Sequence, residues 1–245
     1  MKKICSFIVF VLLLAAGTVY SQKQLYFGAG GTGMSTWFIN QNTYDSAIID
    51  WDVKSTFSYG INANVGFDFN KNLGVKLEFG YARLGQNYTD TYNADTSLQK
   101  NISLRYFQLP VLFKFRSSGE VAKFMFAIGP QFEFLMSAKQ NVYVNDVETS
   151  EWGNEYVIPG TTENIYTEDI KNRFNSMDIM ARLDLGVEIV VIENLFIDVA
   201  LSFAYGLTDI NAPDYQDVNH EGNYDPMHNA YGGLNIGVNY VLPLK

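Results

Sequence analysis

The sequence predicts an all-β fold: an eight-stranded antiparallel up-and-down transmembrane β-barrel with short periplasmic turns and long extracellular loops. Three observations carry that expectation. Apolar and polar residues alternate with period two along most of the chain, the connectors alternate between short and long, and aromatic residues gather near the strand ends on the apolar face.

Residues 1–21 precede the barrel. Met1-Lys2-Lys3, the apolar run from Ile4 to Ala16 and the small residues up to Ser21 have the make-up of a secretory signal peptide, with cleavage expected after Ser21. The apolar run falls short of the roughly 20 residues a spanning helix needs. The lone cysteine, Cys5, lies in this segment, so the mature part, 22–245, is expected to contain no thiol and to draw nothing from disulfides or thiolate metal sites. That mature part has no Pro-, Ser- or Gly-rich linker and no apolar run long enough for a membrane helix. It reads as one domain, and a closed barrel is the way such a chain crosses a membrane.

Eight strands are expected in order: Leu25 to Phe38, Phe57 to Phe69, Leu73 to Leu84, Ile102 to Arg116, Lys123 to Leu135, Asp178 to Val191, Leu195 to Leu207 and Tyr231 to Val241. The sixth is the clearest. Ile179, Ala181, Leu183, Leu185, Val187, Ile189 and Val191 share one face, while Asp178, Arg182, Asp184, Gly186 and Glu188 share the other. Between strands two and three stands Asn70-Lys71-Asn72, between four and five Ser117 to Val121, and between six and seven Ile192-Glu193-Asn194. The other four connectors, Ile39 to Thr56, Gly85 to Asn101, Ser137 to Ser176 and Thr208 to Ala230, are expected to be long loops rich in Asn, Asp, Thr, Tyr and Gly. In the third of them, Asn141 to Val147 and Tyr156 to Ile158 are a candidate extra hairpin.

The apolar face carries Trp37, Phe57, Tyr59, Tyr81, Phe107, Phe134, Phe203 and Tyr205 toward the loop end, and Phe67, Phe69, Phe113, Phe115, Phe124 and Phe126 toward the turn end. Two interfacial girdles account for that placement. A soluble lipocalin-like carrier is the alternative, with the same residues turned inward as a core. The opposite face holds Lys76, Glu78, Lys114, Arg116, Glu133, Arg182, Asp184, Glu188 and Asp198, with Gln108 and Gln131. Their mixed signs predict a salt-bridged interior, and an eight-stranded barrel is only wide enough for its own side chains. The lumen is therefore expected to be filled rather than open.

The net charge of −9 and a pI near 4.7 exclude nucleic acid as a partner, because phosphate binding needs a basic field. Gly28-Ala29-Gly30-Gly31-Thr32-Gly33 matches a dinucleotide fingerprint in letters only, since Met34 to Phe38 continues as strand where a helix should open. His220 and His228 fall in or beside the last long loop with Asp214, Asp217, Glu221 and Asp225. A rim enzyme acting on lipid A or peptides would use that pairing, but no matched serine motif accompanies it. The loop carboxylates lack EF-hand spacing. No catalytic residue, cofactor or metal is assigned.

Tyr106-Phe107-Gln108-Leu109-Pro110-Val111-Leu112-Phe113-Lys114-Phe115 resembles the fourth strand of the PorT-like outer-membrane β-barrel family. Phe126-Ala127-Ile128-Gly129-Pro130, Leu185-Gly186-Val187-Glu188, Tyr205-Gly206-Leu207-Thr208-Asp209-Ile210 and Leu234-Asn235-Ile236-Gly237-Val238-Asn239-Tyr240 are similar to its later strands, in the family's order. The resemblance implies a monomeric barrel in a Gram-negative outer membrane, inserted by the barrel-assembly machinery and bathed in outer-membrane lipid and lipopolysaccharide. With a filled lumen and acidic loops, the expected role is non-enzymatic: presenting those loops to an extracellular or envelope protein, or supporting envelope integrity.

Overall fold

The structure is a computed structural model that describes residues 23–39, 52–93, 96–148, 156–157, 164–165, 167–216 and 223–243. The signal-peptide segment, most of the first loop and His220 lie outside the described residues.

Eight long strands form the barrel: β1 (Gln24–Ile39), β2 (Thr56–Asp68), β3 (Leu73–Asn93), β4 (Thr96–Arg116), β5 (Ala122–Val144), β6 (Met177–Ile192), β7 (Leu195–Gly206) and β8 (His228–Pro243). Each pairs antiparallel with its neighbour in sequence. The ring closes where β1 pairs with β8 from Gln24↔Pro243 to Ile39↔His228. Closure leaves no open edge where all eight strands pair, which is what a sheet in hydrocarbon requires.

The faces are those of a membrane barrel. Along β8 the exposed residues are Leu234, Ile236, Val238 and Tyr240, while Asn235 and Asn239 are buried. Along β7, Leu201, Phe203 and Tyr205 face out, and Asp198, Ala200, Ser202 and Ala204 face in. Phe57 is 83% exposed and Glu133 is 0% exposed; a soluble barrel would reverse that assignment. The lipocalin-like alternative is therefore set aside, because its apolar core would have to lie where the buried charges lie.

The turn-end connectors are tight. At the first, the Asn70 carboxamide oxygen accepts from the backbone N–H groups of Asn72 and Leu73, both at 2.8 Å, an Asx turn that reverses the chain locally. The loop end differs from expectation. Gly85 to Asn101 is largely strand, not loop: β3 and β4 pair through Asn93↔Thr96, and β4 and β5 through Leu98↔Val144. In the bilayer the outward face is apolar and the inward face polar. Beyond it the outward face meets water and the inward face packs beneath the cap, so Leu84, Tyr88, Leu98, Ile102, Leu104 and Val142 are buried and the membrane pattern inverts while the backbone ladder continues. The third connector likewise starts later, after Val144. Asn145 and Asp146, at φ 51° and 65°, form the two-residue turn back to Val147–Glu148, since Asn and Asp tolerate the positive φ such turns demand. Among the described residues Tyr156–Val157 pairs with Asn164–Ile165 and not with the barrel, so the described ring keeps eight strands.

One irregularity sets what faces the lumen. Arg105 pairs with Ser137 but Tyr106 pairs with Leu135, leaving Met136 as the extra residue of a β-bulge. Below it Gln131, Glu133 and Leu135 face in; above it the inward set shifts to Ala138, Gln140 and Val142.

Candidate functional site

The lumen is lined by one inward row from each strand, and its contents change from the turn end to the loop end. Nearest the turns, Asp68, Lys114, Arg116 and Glu188 form a closed ring of four charges. Lys114 Nζ lies 2.9 Å from Glu188 and 3.3 Å from Asp68, and Arg116 reaches Asp68 at 2.8 Å and Glu188 at 3.0 Å. Lys114 also donates to the Tyr26 hydroxyl at 2.7 Å. Tyr26 lies over Gly66, where any Cβ would collide with its ring; glycine is what admits the tyrosine.

In the middle stand Lys76, Glu78, Arg182, Asp184 and Asp198. Lys76 pairs with Glu78 at 2.8 Å and Asp198 at 3.6 Å. Arg182 reaches Glu78 at 2.8 Å through Nη1 and grips Asp184 with Nε and Nη2, each at 2.9 Å. Asn239 donates to Asp198. Every one of these charges is buried. Each side chain is held in place by a partner on another strand or two residues along its own, and low local polarity makes every such bond costly to break.

Toward the loops, Glu133 and Asp178 face each other across β5 and β6. Glu133 Oε1 accepts from Gln108 at 2.7 Å and Gln131 at 2.6 Å. Asp178 accepts from Thr208 at 2.6 Å and Asn229 at 2.9 Å. No ion pair reaches either carboxylate among the described residues.

Above them the interior turns apolar. Met34, Phe38, Leu84, Ile102, Leu104, Tyr106 and Leu135 from the wall meet Ile170, Phe174, Ile210 and Met227 from the outer connectors. Ile170 is fixed by its backbone N–H to the Ala138 carbonyl at 3.1 Å, and Phe174 bridges to Asn211. The outer mouth is thus closed by an apolar cap seated on the charge network. At the other end a vestibule of about 690 Å³ opens to the turns, lined by Lys71, Arg116, Lys123, Glu188 and Phe196 among others. The Arg116–Glu188 pair forms part of that lining, where the vestibule meets the ring of four charges.

The structure brings eight of the nine charged lumen residues named from sequence into ion pairs; the ninth, Glu133, is in the lumen but held by amides. Sequence reasoning left Asp68 and Tyr26 out of the network, although both share the inward parity of their strands. It also did not foresee the cap, four of whose residues come from connectors with no periodicity. His228 sits at the rim with Nδ1 2.9 Å from the Thr208 carbonyl, so that nitrogen carries the hydrogen, and its ring lies on Tyr205. Among the described residues no hydroxyl bonds to it. Gly28 to Gly33 are β1 strand residues, and a Cβ at Gly28 would strike Asn239 and the Val238 carbonyl.

The chain matches the outer membrane protein beta-barrel domain over residues 14–212. No curated protein matches it in sequence. Among solved structures it is similar to Neisserial surface protein A, at 11% identity and a TM-score of 0.40, covering 88% of this chain and 96% of that one. OprG from Pseudomonas aeruginosa gives 11% identity, a TM-score of 0.40, and coverage of 91% and 97%. Ail of Yersinia pestis gives 12%, 0.38, and coverage of 91% and 100%. With its closed ring of eight strands, lipid-facing apolar girdle and family match across most of its length, this chain belongs to the outer membrane protein beta-barrel domain family.

Proposed function

We propose that this barrel is a non-enzymatic outer-membrane protein that presents its extracellular connectors, above all the tall β3–β4–β5 sheet, to a partner outside the cell or in the envelope. The observation that carries this reading is the contrast between a closed interior and an extended exterior. The lumen is filled by ion pairs and capped by Phe38, Ile170, Phe174 and Met227. β3, β4 and β5 span 21, 21 and 23 residues, whereas a bilayer takes about 9–11 residues of tilted strand. About half of each strand therefore lies outside the hydrocarbon.

Asp52–Lys54 adds to one side of this projecting sheet and Val147–Glu148 to the other. Asp52, Asp146, Glu148 and Asp169 are exposed there, which suits a partner with basic groups or bridging divalent ions and disfavours nucleic acid. The motif set around Tyr106 and Lys114, both buried in the lumen, supports placing the chain in the PorT-like branch. Export through residues 1–21, insertion by the barrel-assembly machinery and contact with lipopolysaccharide complete the reading. N-terminal sequencing of the mature protein should begin at Gln22.

Reconstitution in planar bilayers is the test of the closed interior. The expected record shows no steady conductance, and discrete ohmic steps would replace this reading with that of a pore. Lipid A and peptide profiles from cells with and without the gene should coincide; a difference would return the rim around His228 to consideration as a catalytic site.

A further inference from the structure

The charges of the lumen do not balance, and the imbalance is local. The turn-end ring sets Lys114 and Arg116 against Asp68 and Glu188. The middle cluster sets Lys76 and Arg182 against Glu78, Asp184 and Asp198. Glu133 and Asp178, directly opposed on neighbouring strands and 0% and 1% exposed, make no ion pair among the described residues; the nearest cations are held elsewhere, Arg182 on Glu78 and Asp184, and His228 on the Thr208 carbonyl. Lys100 stands further out on β4, over the Tyr88 ring at 5.0 Å. Like charges facing each other in a sheet destabilise it even in water, and burial enlarges the effect.

A second observation points at what is missing. Glu133 Oε2 is buried and has neither a hydrogen bond nor an ion pair; the Asn229 carboxamide oxygen is also buried and unpartnered, while its nitrogen donates to Asp178 and Tyr106. The buried oxygens of Glu78 and Glu188 that likewise lack hydrogen bonds each face a lysine, at 2.8 and 2.9 Å. Amide donors from Gln108 and Gln131 occupy Glu133 Oε1 and leave Oε2 without a partner. A carboxylate pair with a spare amide oxygen, and no sulfur or imidazole, is a donor set for a hard cation.

We propose that Glu133, Asp178 and Asn229 form an internal cation site beneath the apolar cap, taking Ca²⁺ or a comparably hard ion through oxygen ligands. The ion supplies the positive charge that the first two clusters receive from lysine and arginine. It would also tie β5, β6 and β8 together at the level where the wall meets the cap.

The test is thermal unfolding of the chelator-treated, detergent-folded full chain at neutral pH and fixed NaCl, read by gel mobility, against added CaCl₂. The wild type should gain roughly 5–10 °C at a hundredfold excess over Kd, and Glu133→Gln should lose that gain. Asp178→Asn serves as the second variant should the first fail to fold. A gain that persists in both variants would place the ion on the acidic loops and overturn the proposal. So would a wild type indifferent to CaCl₂ but stabilised as pH falls, with Glu133→Gln flat, because a proton alone would then fill the gap.

Discussion

Arg182 grips Asp184, two residues along the same strand, through paired 2.9 Å bonds from Nε and Nη2, and uses Nη1 to hold Glu78 on the far side of the lumen. The fork is planar, so one side chain joins β6 to β3 in a way a lysine cannot copy.

Arg182→Met therefore leaves two buried carboxylates short of their guanidinium. The expected loss is about 3–5 kcal/mol, seen as a lower urea midpoint for the barrel folded in lipid vesicles. Adding Asp184→Leu should restore part of that loss, since the second change removes the orphaned charge.

Leu201 lies mid-strand on the outer face and is 52% exposed. Leu201→Arg should cost about 2–4 kcal/mol in lipid, as a charge at the bilayer midplane does. The same change at Val147, on the projecting sheet, should be nearly neutral. Equal costs at both positions would contradict the assigned membrane level.

Phe174 packs against Phe38 with ring centres 6.5 Å apart and is 5% exposed. Phe174→Ala should loosen the cap ahead of the wall. Limited proteolysis should then cut within Thr167–Ser176 much faster than in the wild type, while the heat-shift midpoint of the barrel falls only slightly.

In the last connector, Tyr224 donates a 2.5 Å bond to Asp209. Burial first, then the neighbouring carboxylate, pushes its hydroxyl up to about 12. A raised value means the neutral phenol is favoured in the folded state, so this contribution is intact below about pH 10 and is lost as pH rises toward 12. Titration of phenolate absorbance should show one tyrosine ionising late among the exposed ones, and Tyr224→Phe should remove it.

The membrane-spanning parts of the fold were legible because lipid imposes a side-chain period of two, and β6 and β7 obey it nearly without exception. Legibility ended where that constraint ends. Tyr88, Leu98 and Val142 belong to strands that continue past the lipid, where the apolar residues point inward, the reverse of the membrane pattern. Within the lumen, Lys114, Arg182 and Glu188 were readable as inward charges, but their partners were not. Which lysine meets which carboxylate depends on barrel stagger, a relation between strands far apart in sequence. Ile170, Phe174 and Met227 gave no signal because a cap residue needs only to be apolar and in reach of the mouth.

The projecting part of β3, β4 and β5 is held by backbone ladders and by a buried inner row that includes Tyr88, Leu98 and Val142, and the bulge at Met136 is paid for once, at its base. Backbone pairing is largely indifferent to which polar side chains it carries. Outward-pointing residues on this mast are therefore free to diverge without loss of shape, whereas the lumen below it tolerates few changes. Between close relatives, sequence variation should be steepest at the height where the lipid stops.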